Sequence, residues 1–155
     1  MTLAAVSDAG PLIHLAEVDA VELLSLLEDL YVPEAVVSEL EAGTVAESVD
    51  DLEWTVVTPA EETLEGADLD AGELAAIAAA VELDAILLTD DLAAREYAAE
   101  HGIEVHGSVG VVALGYARGA VTRDEAASFM RRLQRESSLF VTQSVVERGI
   151  EMLDG

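Results

Sequence analysis

The sequence predicts an α/β domain, a parallel sheet of four to five strands with helices on both faces. Three observations carry that expectation. Short apolar runs alternate with longer segments of helical spacing, Pro11 and Pro33 sit where helices would begin, and 155 residues at 52% hydrophobic suffice for one core but are short for two. Residues 1–155 are therefore read as a single domain. Strands separated by helices pair in parallel through right-handed crossovers, and such sheets collect ligands at the carboxyl ends of their strands.

Taken in order, TLAAVS is a short strand and GPLIHLAEVDAVELLSLLEDL carries apolar residues at helical spacing, with Pro11 suited to a first helical position. YVPEAVVSELEAG reads as a second helix, starting near Pro33 and ending near Gly43. Within residues 44–69 only EWTVVTP looks like a strand. A helix is expected at about 70–83, a strand at AILLT, a helix at about 91–101, a strand at IEVHG and a helix at SVGVVALGYARG. Helices at about 122–135 and 142–153 close the chain.

Composition narrows the function. With 32 acidic residues against seven basic ones, all arginine, the formal net charge is -25. The acids are spread along amphipathic segments rather than gathered in one run, which is the pattern of a folded acidic protein. Self-repulsion of this size is costly in dilute buffer and mostly screened in molar salt, so the chain reads as a halophile's. An acidic surface made to meet a basic partner is the other reading. No apolar run reaches the roughly 18 residues that span a bilayer, and MTLAAVSDAG lacks the basic start of a signal peptide, so a cytoplasmic protein with no membrane partner is expected. Without cysteine there is no disulfide or thiolate chemistry, and any metal must be held by oxygen or histidine.

Five acids stand out. The run AILLTDD ends an expected buried strand on Asp90 and Asp91, at the sheet's carboxyl edge, and helix capping would also explain them. Asp8 repeats the arrangement after TLAAVS. Glu39 shares a helical face with Ala35, Val36, Leu40 and Gly43, and is either a carboxylate beside the buried stripe or an edge residue reaching water. Glu73 has capping-box spacing from Asp70, yet shares a face with Ala76, Ile77 and Ala80. Carboxylates gathered at strand ends repel unless a cation joins them, and oxygen donors suit Mg2+ or Mn2+ rather than zinc.

These phrases together resemble the PIN-domain ribonucleases, in particular the VapC-type toxins. VSDAGPLIHLA looks like the family's opening strand and first acid, VPEAVVSELEAG like the second, LDAGELAAIAAA like the third, and ILLTDDLAAREYAAEHGIEVHGSVGVV like the fourth. The resemblance implies a single PIN-like domain and a Mg2+- or Mn2+-dependent endoribonuclease, the toxin partner of a small antitoxin. Its acids map onto Asp8, Glu39, Glu73 and one of Asp90 and Asp91, with Asp91 favoured because Thr89-Asp90-Asp91 matches a hydroxyl, any residue, then the acid. Gly10 replaces a small hydroxyl or Asn, and Glu73 replaces the commoner Asp. The other reading is a catalytically weak PIN-like module that binds RNA or protein.

The remaining polar residues have ordinary explanations beside functional ones. Ser108 could cap its helix or bond to the acid cluster, His14 reads as a satisfied core residue, and His101 and His106 are not on one face. Arg123, Arg131, Arg132 and Arg135 form either a patch for RNA phosphate or a solvated face. The apolar surplus in PLIHLAEVDAVELLSLL and the arginine-bearing helix predicts a homodimer, an association that relatives of the family share.

Overall fold

The structure is a computed structural model and describes residues 3–43, 52–59 and 69–154. Among the described residues, strands β1 (Ala4–Ser7), β2 (Asp29–Pro33), β3 (Thr55–Val57), β4 (Ile86–Leu88) and β5 (Val105–His106) form one all-parallel sheet, in the order β3-β2-β1-β4-β5. The helices are α1 (Ala9–Glu17), α2 (Glu34–Ala42), α3 (Ala71–Leu83), α4 (Leu92–Glu100), α5 (Ser108–Ala117), α6 (Arg123–Glu136) and α7 (Gln143–Asp154). From central β1 the chain builds outward to β2 and β3, then returns to add β4 and β5 on the other side. The carboxyl ends of β1 and β4 therefore flank the point where strand order reverses, the usual ligand crevice of such sheets.

Successive side chains in a strand face opposite ways, so each short strand feeds two cores. Ala5 and Leu88 join α1, α5, α6 and α7 on one face through Leu12, Leu15, Val112, Met130 and Leu133. Val6 and Leu87 turn the other way, against Ala76, Ile77 and Ala80 of α3 and Ala94 and Ala98 of α4. Fully buried Leu12, Leu15 and Ile77 each contribute about 1.5–3 kcal/mol relative to exposure. No helix among the described residues is long and apolar enough to cross a membrane.

Three expectations need correction. The long helix from Pro11 is in fact three pieces: α1, a 3-10 turn at Val21–Leu26, and β2. The break lies at Asp19, whose φ of 58° is left-handed, a conformation that Asp tolerates better than most side chains. Ala20 N–H then closes back on the Leu15 carbonyl at 2.8 Å. In β2 Leu30 and Val32 are buried on one face while Tyr31 packs toward the other core, so the sequence shows an unbroken apolar run without the polar alternation that would have marked a strand. Helix α1 also begins two residues before Pro11, because Asp8 rather than Gly10 caps it. The apolar surplus assigned to a two-fold interface lies largely inside the chain's own core, where Leu12, Leu15, Val18, Val21 and Leu24 are buried.

Candidate functional site

Asp8 leaves the end of β1 buried, with only 7% of its surface exposed. Its Oδ1 accepts from Ala9 N–H at 2.9 Å, and its Oδ2 accepts from Thr89 Oγ1 at 3.1 Å across the switch point. Burial raises its pKa, the two hydrogen bonds oppose that rise, and the charges of Asp70 and Asp91 add to it. The cap and the site are thus the same residue, with one oxygen fixed by each.

Glu73 shows the same division of labour on α3. Its Oε1 accepts from Asp70 N–H at 3.1 Å while Asp70 Oδ1 accepts from Glu73 N–H at 2.8 Å, a complete capping box. Its Oε2 is buried and has no hydrogen-bond partner. That oxygen belongs to a carboxyl close enough to Asp91 for the pair to share a proton. Burial, followed by the Asp91 and Asp70 neighbours, pushes the Glu73 pKa up to about 8 against the single opposing bond from the Asp70 backbone. A carboxylate facing another carboxylate needs either a proton or a cation between them.

The tripeptide at the end of β4 divides its functions. Thr89 donates to Asp8 and accepts from Asp91 N–H at 3.2 Å, so one hydroxyl ties the first and last acids. Asp91 caps α4 by accepting from Ala94 N–H at 2.9 Å, and its carboxyl neighbours Glu73. Asp90 faces elsewhere. Its Oδ1 accepts from Ser108 N–H at 2.6 Å, and its Oδ2 from Ser108 Oγ at 2.5 Å and His14 Nδ1 at 2.7 Å. Gly107, not Ser108, occupies the cap position of α5, and the Ser108 hydroxyl is spent on Asp90.

Glu39 reaches the group from α2. It is exposed, as Asp91 is and as Asp8 and Glu73 are not, but reduced hydration and then the charges of Asp70 and Asp8 raise its pKa. Its carboxyl lies over Gly72, where a Cβ would collide with it. The structure thus brings Asp8, Glu39, Glu73 and Asp91 under one another's electrostatic influence and adds Asp70, which the sequence had marked only as a cap. It gives Asp90 different partners.

Whether a divalent ion fits can be tested on these groups. Every donor is a carboxylate oxygen, the donor type of Mg2+ and Mn2+, and the partnerless Oε2 of Glu73, a carboxyl that neighbours Asp91, is an oxygen that such an ion would satisfy. Among the described residues no three acids or histidines already stand as a ready-made coordination group. The residues fit the ion in chemistry, and the carboxylates would have to draw together around it.

Comparison with solved structures finds similarity to a PilT N-terminus domain protein from the hyperthermophilic archaeon Sulfolobus solfataricus P2. Identity is 20%, the TM-score is 0.61, and the match covers 70% of this chain and 90% of that one, a likeness of fold. No curated protein matches the chain. Residues 4–154 match the family described as DUF3368: PIN domain. The parallel sheet with acids at its switch point, matched over nearly the whole sequence, places the chain in the PIN-domain family, whose members are typically nucleases.

Proposed function

We propose that the protein is a Mg2+- or Mn2+-dependent endoribonuclease in which Asp8, Glu39, Glu73 and Asp91 hold the ion. The observation that carries this reading is the Glu73 carboxyl, which neighbours that of Asp91 and has a buried Oε2 without a hydrogen-bond partner. Bound there, the ion supplies Lewis acidity toward a phosphodiester and activates water. The chain's own residues do the rest. Thr89 orients Asp8 and, through the Asp91 backbone, the opposite acid. Glu73, which holds a proton near neutral pH when the site is free of metal, is suited to passing a proton as well as to binding.

RNA is supported as substrate by the arginines of α6. Arg131 and Arg135 make no ion pair among the described residues, whereas Arg123 and Arg132 are engaged by Asp154 and Glu136. Arg131 and Arg135 both line a groove of about 660 Å3 between α6 and α7, which Arg123 and the acids Glu147, Glu151 and Asp154 also line. The toxin role, the small antitoxin, the homodimer and the cytoplasmic setting rest on the family resemblance and the composition. A second reading, a weakly active module that binds RNA or protein, is favoured by the lack of a ready-made coordination group among the described residues. Incubating RNA with the purified protein and Mn2+ separates the two. Cleavage that is lost with EDTA and in Asp8→Asn supports the nuclease; RNA binding without cleavage at any metal concentration supports the module.

A further inference from the structure

Thr89, Asp90 and Asp91 are consecutive, yet only the outer two engage the carboxylate cluster. Asp90 sits between them with its side chain only 8% exposed, tied to two elements distant in sequence: α1 through His14, whose side chain is 15% exposed, and α5 through Ser108. A carboxylate has about four acceptor positions, and three of Asp90's are filled by these protein donors. Little remains with which to coordinate an ion.

We infer that Asp90, His14 and Ser108 form a strut that sets the separation of Asp8 and Asp91, making Asp90 a positioning residue and not a ligand. This rests on the metal reading above and deepens it. His14 lies on the helix that Asp8 caps, so pinning His14 to the end of β4 fixes how α1, and with it Asp8, sits against Thr89 and Asp91. The Ser108 end of the strut brings the amino end of α5 to the same carboxylate, where the helix dipole favours negative charge. Close approach here needs a glycine. A Cβ at Gly107 would stand 2.7 Å from Asp90 Oδ1 and 3.3 Å from Arg95 Nη1, so any larger residue would force the carboxylate out of place.

The strut makes a distinction that a ligand would not. Asn at position 90 can still accept from Ser108 N–H through its carbonyl oxygen, while its amide faces a histidine able to change tautomer and a hydroxyl able to accept. It keeps the connection and loses the charge. Ala loses both.

Mn2+ binding to the full chain, followed by electron paramagnetic resonance of the free ion, tests the inference beside melting curves for each variant. The wild type should bind, Asp8→Asn should not, and Asp90→Asn should bind within about threefold of wild type. Asp90→Ala and Ser108→Ala should bind about 10–100-fold more weakly, the usual cost of removing a group that orients a ligand. If Asp90→Ala does not fold, Ser108→Ala decides, because it keeps the backbone bond to Asp90. Binding by Asp90→Asn as poor as by Asp8→Asn would make Asp90 a ligand and overturn the strut. So would wild-type affinity in a folded Ser108→Ala, whatever its melting temperature. Absence of binding by the wild type would overturn the metal reading and the strut with it.

Discussion

Glu73 holds two roles in one carboxyl, since Oε1 closes the capping box of α3 while the buried Oε2 has no hydrogen-bond partner and the group as a whole neighbours Asp91. Its pKa is raised from an ordinary 4.5 to about 8, so between those values the folded chain holds a proton that the unfolded chain has released. The contribution of Glu73 to stability in metal-free buffer is therefore fully present below about 4.5 and is lost as pH rises toward 8. The raised pKa values of Asp8 and Glu39 act in the same direction. Glu73→Gln removes the titrating group and supplies an amide donor toward Asp91. Melting temperatures taken in EDTA across this range should fall less steeply in the variant and lie above wild type at pH 8; parallel curves would show that Glu73 is not the group responsible. For Asp91 the expected outcome separates capping from chemistry. Asn caps about as well as Asp, so Asp91→Asn should keep or raise the metal-free melting temperature while abolishing RNA cleavage. An active Asp91→Asn would return Asp91 to the role of a cap.

Helix starts at strand ends explain why much of the arrangement is legible in the sequence. Asp8 and Asp91 each follow an apolar strand and precede a helix, and the fold delivers both to the switch point between β1 and β4. Glu73 can be placed because Ala76, Ile77 and Ala80 share its face and bury it. Other features depend on contacts that periodicity cannot express. Strand β2 is hidden because Leu30, Tyr31 and Val32 form an unbroken apolar run, and the partners of Asp90 include Ser108, 18 residues further on. Thr89 is visible only as a hydroxyl before the acids, and its bond to Asp8 spans 81 residues. Between α2 and α3 the fit is set by a missing side chain, which yields a prediction. Gly72→Ala should keep or raise stability, since Ala favours a helix by up to about 1 kcal/mol over Gly. The new Cβ would push away the Glu39 carboxyl, the far end of a flexible side chain. Paired melting and Mn2+ titrations should show intact folding with about tenfold weaker metal dependence of cleavage, and an unchanged dependence would remove Glu39 from the ligand set.

For the molecule as a whole the governing quantity is a net charge of -25 carried by 155 residues. Asp8, Glu73 and the side chain of Asp90 are buried, so most of the remaining described acids lie at or near solvent, with too few arginines to pair with them. Ion pairs such as Arg123 with Asp154 and Arg132 with Glu136 are exposed, so solvent screens them and they contribute little. Salt acts on both sides of this balance. It weakens those few pairs, and it also screens repulsion among the many acids, whose range shrinks from about 10 Å at 0.1 M to about 3 Å at 1 M. Repulsion involves far more charges than attraction does, so relief should dominate. The melting temperature should rise between about 0.1 M and several molar KCl. A melting temperature that is flat or falls with KCl at neutral pH would show that the acids are arranged to avoid one another or serve a basic partner, and would remove the case for a halophilic setting while leaving the carboxylate site as it stands.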